Sequence, residues 1–285
     1  MKHKLTVYLV LILMALPVTI RSQLPFVEDF SDGTEPAGWT FPSNWQVGSV
    51  GYSNHPIGNP PPAAFFYWNP AVTNYSERLT SPWIDTDEAP QVKVFFDMEL
   101  DFYAPGGLEG LAIEYRTGDG SWNEVLSYEI AAGVSVNFSL STQAFIANVT
   151  DSIQLGFRAY GLNSYNINSW DIDNVKVKNI PHLIDVTITS NNQINSGQAS
   201  VGDLILLTFE GSTALSSTAA IIGVTQVYPI NLQNNVWQTS YTVQQDIDDE
   251  GPIPFVIMFT DTSNVDGIPV TETTDQTLVL IDNTG

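Results

Sequence analysis

The sequence contains no cysteine, only nine lysines and arginines against thirty-one aspartates and glutamates, and three histidines in 285 residues. Each shortage removes a class of chemistry. Without cysteine there is no thiol nucleophile, no thiolate metal centre and no disulfide, so a folded domain must be held by core packing or by bound ions. A formal net charge of -22 argues against nucleic acid or an anionic lipid surface as a partner, because both would be repelled. His3 lies in the N-terminal leader described below, which leaves His55 and His182. Two are too few for a multi-histidine zinc centre and poor material for a Ser/His/Asp triad, and both read as ordinary surface residues. No glycine-rich phosphate loop appears, and Gln23 to Lys178 shows no convincing amphipathic helix.

What is present points to a folded protein. Hydrophobic residues make up 43% of the chain, with seven Trp, eleven Tyr and fourteen Phe, far more apolar surface than a disordered acidic chain carries. The length fits two domains of ordinary size. Residues 1–22 read as a secretory signal: Lys2 and Lys4, an apolar run from Leu5 to Leu16, then Pro17 and Ser22. An uncleaved anchor is the alternative, although the run is short for a permanent span and no later segment approaches membrane length. Cleavage removes three bases and no acid, leaving six bases against thirty-one acids and no membrane-inserted segment. The expected product is secreted or displayed at the cell surface, where calcium is the first cofactor to consider for so carboxylate-rich a chain.

From Gln23 to Lys178, short runs of alternating apolar residues are separated by Gly, Pro and Asn, which predicts strands. The run 92–102 is clearest, with Val94, Phe96, Met98, Leu100 and Phe102 on one face and Lys93, Phe95, Asp97, Glu99 and Asp101 on the other. Runs 111–116, 134–140, 153–160 and 170–178 follow, enough for two packed sheets in a sandwich or jelly roll. Beyond Pro181-His182 the composition changes: residues 179–285 hold twelve acids and no Lys or Arg. Strand candidates there, 183–190, 203–209, 219–224, 236–243, 253–260 and 277–281, have the spacing of an immunoglobulin-type sandwich. The predicted organisation is all-β, with a signal over 1–22, a jelly roll over 23–180 and an immunoglobulin-like sandwich over 181–285.

Three stretches carry a resemblance: Glu28-Asp29-Phe30 through Pro36-Ala37-Gly38-Trp39, then Glu114-Tyr115-Arg116-Thr117-Gly118-Asp119-Gly120-Ser121-Trp122, then Trp170-Asp171-Ile172-Asp173-Asn174-Val175. In this order they resemble the MAM-like, cleaved-adhesin type of concanavalin-like jelly roll found in secreted proteases and adhesins of Bacteroidetes type. Ala199-Ser200-Val201-Gly202-Asp203, Glu250-Gly251-Pro252 and Ile281-Asp282-Asn283-Thr284 resemble bacterial Ig-like repeats of large adhesins, in which the last motif leads into a further repeat. The resemblance implies a structural calcium joining the first and closing strands, held by Asp29, with Glu28 or Asp32 beside it, and by Asp173. The residues alone also allow solvated turn acids there.

Two further patterns bear on function. Asp97, Glu99 and Asp101 share one strand face, as the carboxylates of jelly-roll glycosidases do, although Asp97 stands where that family places its nucleophilic Glu; an ordinary polar face explains the same spacing. Aromatics cluster from Trp39 to Trp83 among Asn- and Pro-rich loops, and Tyr52, Tyr67 and Trp68 are the candidates for stacking on sugar rings. The acidic run from Asp246 to Gly251 lacks the ligand spacing of an EF-hand and reads as a loop. The expected function is non-enzymatic recognition of carbohydrate or of a surface protein, with the second domain as spacer. An accessory segment of a larger secreted enzyme and a glycosidase are the alternatives.

Overall fold

The computed structural model describes residues 21–51, 54–86, 89–103, 108–118, 120–130, 138–245 and 250–282. Residues 1–20 of the predicted signal, Tyr52, the run 134–137 and residues 246–249 lie outside them, and the last two residues of the predicted signal fall in the first strand. Among the described residues no helix is long and apolar enough to cross a membrane.

Among the described residues the first half has twelve strands: β1 (Arg21–Gln23), β2 (Phe26–Glu28), β3 (Trp45–Gly48), β4 (Ala63–Tyr67), β5 (Thr73–Thr80), β6 (Trp83–Asp85), β7 (Gln91–Phe102), β8 (Glu109–Thr117), β9 (Asn123–Ile130), β10 (Phe138–Asn148), β11 (Ser152–Asn163) and β12 (Ile167–Asn179). They form two sheets. One has the order β1-β6-β11-β8-β9 with β5 also on β11; the other has β10-β7-β12-β4-β3 with β2 also on β12. From β7 onward the chain passes to the first sheet for β8 and β9, back for β10, across for β11 and back for β12, the alternation of a jelly-roll sandwich.

Period-two alternation decides which face is buried. Phe96, Met98, Leu100 and Phe102 of β7, Trp170 and Ile172 of β12 and Phe66 of β4 point inward and meet Leu111, Ile113, Leu155 and Phe157 of the opposite sheet in one apolar cluster. Trp170 is fully buried, 5.3 Å from the Trp45 ring, and Phe96 meets Phe157 edge to face at 5.3 Å. Each such side chain contributes roughly 1.5–3 kcal/mol by burial, which supplies the rigidity that cysteine does not.

Three of this domain's few bases, Arg78, Arg116 and Arg158, serve the first sheet's outer face. Buried Glu114 accepts from Arg78 Nε at 2.6 Å and from Arg158 Nε at 2.8 Å. The guanidinium groups of Arg78 and Arg116 lie 4.5 and 4.8 Å from the Trp122 ring centroid. Gly156 lets that ring lie down, since a Cβ there would come within 2.7 Å of it.

Residues from Leu183 to Ile281 have a core of their own, with Ile205, Leu207, Phe209, Tyr241, Phe255 and Ile257 at its centre. Their strands form three small sheets: 183–190, 204–211, 236–242 and 230–233 in the largest, 215–222 between 225–227 and 255–261 in the second, and three two-residue strands in the third. The predicted strands recur with shifted ends, and 225–227 and 230–233 were not legible as strands. Lys178 Nζ donates to the Ser263 carbonyl at 2.8 Å.

Candidate functional site

The register of β7, β12 and β4 sets the outer face of the second sheet. Tyr67, Ser169 and Asp101 form one row; Phe65, Asp171 and Glu99 the next; Asp173, Asp97 and Thr142 of β10 a third. Five carboxylates on this face follow from alternation along β7 and β12. The expectation of an ordinary polar face fails for a tertiary reason: residues 54–62 fold back over it. Fully buried Ile57 packs on Ala63, Phe65 and Tyr67 in a small separate cluster. Gly58, at φ +95°, brings the loop so close that a Cβ would stand 2.7 Å from Ala63 Cβ and 3.0 Å from Asp173 Oδ2.

The loop brings His55 against the face, correcting its reading as an ordinary surface residue. Its Nε2 lies 2.9 Å from Glu99 Oε1. Among the described residues, His55, Glu99 and Asp171 are the group of three whose ligand atoms all lie within 4.8 Å of one another. Asp171 is 1% exposed, and neither carboxylate oxygen has a hydrogen-bond partner in good geometry. Burial pushes its carboxyl up to about 8; the charges of Glu99, Asp101 and Asp173 push the same way, and the nearby Ser169 hydroxyl only partly offsets them.

The acids expected to hold calcium are arranged differently. Asp29 is exposed and accepts from Ser31 N at 3.1 Å; hydrogen bonds from Ser31 hold its carboxyl below the usual value. Glu28 accepts from Phe30 N at 2.9 Å, and its carboxyl is raised by partial burial. Asp32 accepts from Thr34 N at 2.9 Å. Asp173, 2% exposed, accepts from Asn59 N and Asn174 N, each at 2.7 Å. Burial raises its carboxyl, two amide bonds oppose this, and the charges of Asp97 and Asp29 add to the rise. Asp29 and Asp173 are thus within electrostatic reach, while their oxygens are engaged by nearby amides and, among the described residues, do not converge with a third His, Asp or Glu side chain.

Of the glycosidase candidates, Asp97 is held by Thr142 Oγ1 at 2.6 Å and Asn174 Nδ2 at 3.0 Å, and Asp101 by Asn168 Nδ2 at 3.1 Å. Asp101 stands next to an aromatic cleft of about 210 Å³ lined by Trp68, Tyr103, Tyr165 and Asn168. Trp68 meets Tyr165 edge to face at 5.3 Å, and Tyr165 meets Tyr103 at 5.2 Å. Tyr67 lies 5.7 Å from Trp68 but turns toward Phe65 and Ile57. The two tyrosines of the cleft are about half exposed, and the Trp68 indole N–H is buried without a partner.

A turn at Ser164–Asn166 places Tyr165 there. The Asn163 side chain caps it by accepting from Tyr165 N, and Ser164 Oγ donates to the Trp68 carbonyl at 3.0 Å. Beneath it, fully buried Glu109 accepts from Asn163 N, Asn166 Nδ2 and the Tyr75 hydroxyl. The predicted Trp68 therefore lies in the cleft, whereas Tyr67 packs on the Ile57 cluster and does not line it. Tyr103 and Tyr165 were missed; the only sequence signal for the second was the Asn/Ser-rich turn just before the closing strand.

No known protein family matches the chain, and no curated protein does. Among solved structures, a cleaved adhesin domain of Lys-gingipain from Porphyromonas gingivalis aligns with 54% of this chain and 98% of its own, at 15% identity and a TM-score of 0.40. A second cleaved adhesin domain of Lys-gingipain aligns over the same shares at 17% identity and 0.37. A xylan-binding domain from Paenibacillus barcinonensis aligns with 54% of this chain and 92% of its own, at 13% identity and 0.32.

Proposed function

We propose that this chain is a secreted or surface-displayed, non-enzymatic adhesion protein whose MAM-like jelly roll binds carbohydrate in the Trp68–Tyr103–Tyr165 cleft. One observation carries the reading: aromatic faces from three separate segments line an open cleft beside Asp101 and Asn168. Sugar rings present C–H faces that stack on such rings and hydroxyls that bond carboxylate and amide groups. The acidity of the face selects neutral or amino sugars over uronic or sialylated ones. Residues 181–285 serve as an Ig-like spacer.

Catalysis on this face is disfavoured by access. Asp171 has the raised pKa of a general acid, but at 1% exposure it cannot reach a glycosidic oxygen. A structural calcium between Asp29 and Asp173 belongs to the same proposal; its support is the mutual repulsion of Asp29, Asp97 and Asp173, which a cation would relieve.

Glycan-array binding of the full chain tests the recognition role. Neutral glycans should be retained, and Trp68→Ala or Tyr165→Ala should abolish retention while the protein stays folded. Silence across the array would overturn the carbohydrate reading in favour of a protein ligand, and variants that bind like the parent would overturn the cleft as its site.

A further inference from the structure

We propose that His55, Glu99 and Asp171 bind a divalent transition-metal ion, zinc by preference, which fastens the 54–62 segment to the outer face of the second sheet. The site is distinct from the calcium position at Asp29 and Asp173 and does not depend on the carbohydrate cleft.

The geometry comes first. One imidazole nitrogen and two carboxylate oxygens from three distant segments lie within 4.8 Å of one another. A tetrahedral zinc ion with bonds of about 2.0–2.2 Å needs its ligands roughly 3.4 Å apart, so small side-chain rotations close the set and leave a fourth position for water. The 2.9 Å between His55 and Glu99 is already inside that span.

Asp171 is the second, independent observation. It is 1% exposed, aims into this cluster and has neither oxygen in a hydrogen bond of good geometry. An unpaired carboxylate in an interior is among the most expensive arrangements a fold can hold, and a coordinated cation removes that cost.

The domain's own cations do not supply the missing charge. Arg78 and Arg158 are committed to Glu114, Arg116 lies between Trp83 and Trp122, Lys93 sits over Phe95, and Lys178 reaches Ser263. Lys176 lies near Asp29. The charges acting on Asp171 are those of other acids.

The donor set selects the ion. Calcium and magnesium take oxygen ligands, whereas one imidazole with two carboxylates suits zinc, with cobalt(II) and manganese(II) as weaker substitutes. Bound there, the ion links loop, β7 and β12 beside the Ile57 cluster.

The test is calorimetric titration of zinc chloride into the chelator-stripped full chain, with thermal unfolding in parallel. Expected are one ion per chain, a rise in Tm, a cobalt(II) absorption band from the nitrogen-containing site, and slower proteolysis within 54–62 when zinc is present. His55→Ala and Glu99→Gln should each weaken binding by about tenfold or more. His182→Ala should leave it intact. Asp171→Asn should fold, gain stability without metal and lose its response to zinc. The proposal is overturned if the parent binds no stoichiometric zinc, as when Asp171 is simply protonated and shares that proton with Glu99, or if His55→Ala binds as tightly as the parent.

Discussion

The Tyr75 hydroxyl donates to Glu109 Oε2 at 2.7 Å inside the sandwich, while the other Glu109 oxygen accepts from Asn163 N and Asn166 Nδ2. One buried carboxylate thereby ties β5 and β8 to the turn that presents Tyr165. Burial and the adjacent carboxylate both push the Tyr75 phenol upward, so it remains a donor across the accessible pH range. Tyr75→Phe should cost about 1–3 kcal/mol, because it leaves a buried acceptor short of a donor. Urea unfolding measures this. Glu109→Ala should cost more and also weaken glycan binding, since the turn loses its anchor; an unchanged affinity would show that Tyr165 is held by other contacts.

The Glu114 cluster makes a second prediction. Glu114→Gln should destabilise the jelly roll by about 1–3 kcal/mol, a figure lowered from that of a fully buried ion pair because Arg78 and Arg158 are partly solvated. Gly156→Ala should be at least as damaging, since its methyl group would displace the Trp122 ring and the guanidinium groups against it. Thermal unfolding of both variants and loss of the near-ultraviolet tryptophan signal in the second would show it.

Without metal, Asp171 should make the protein less stable as pH rises. Its carboxyl is pushed to about 8 from an ordinary value of 3.8. Between those values the native state keeps a proton that the unfolded chain has released, so stability falls through this window and the loss is complete above it. The full effect is on the order of 5 kcal/mol. Asp171→Asn should flatten the slope between about pH 5 and pH 8.5, as measured by denaturant unfolding of chelated protein. A parent protein equally stable at both ends would show that Asp171 is charged, hydrated or paired in solution.

Calcium should raise the Tm of chelated protein through Asp29 and Asp173. Asp29→Asn and Asp173→Asn should each remove that rise. A thermal-shift titration to millimolar calcium checks it, and an unchanged Tm would leave these acids as local caps of their turns.

Much of the architecture was legible in the sequence because alternation is a local property. The inward row of β7, the outward row Asp97-Glu99-Asp101, and the paired Asp171 and Asp173 of β12 could all be assigned to faces from side-chain period alone. Trp68 could be singled out as a loop aromatic. The site depended on what those faces meet, and period carries no information about that. His55 is 44 positions from Glu99, and it reaches the sheet only because Ile57 and Gly58 fold the loop onto Ala63 and Phe65. Tyr103 and Tyr165 come together only because the turn before β12 rests on Glu109. The residues set which face of each strand is apolar; long-range pairing and loop closure decided which acids lost their water and which aromatics kept it.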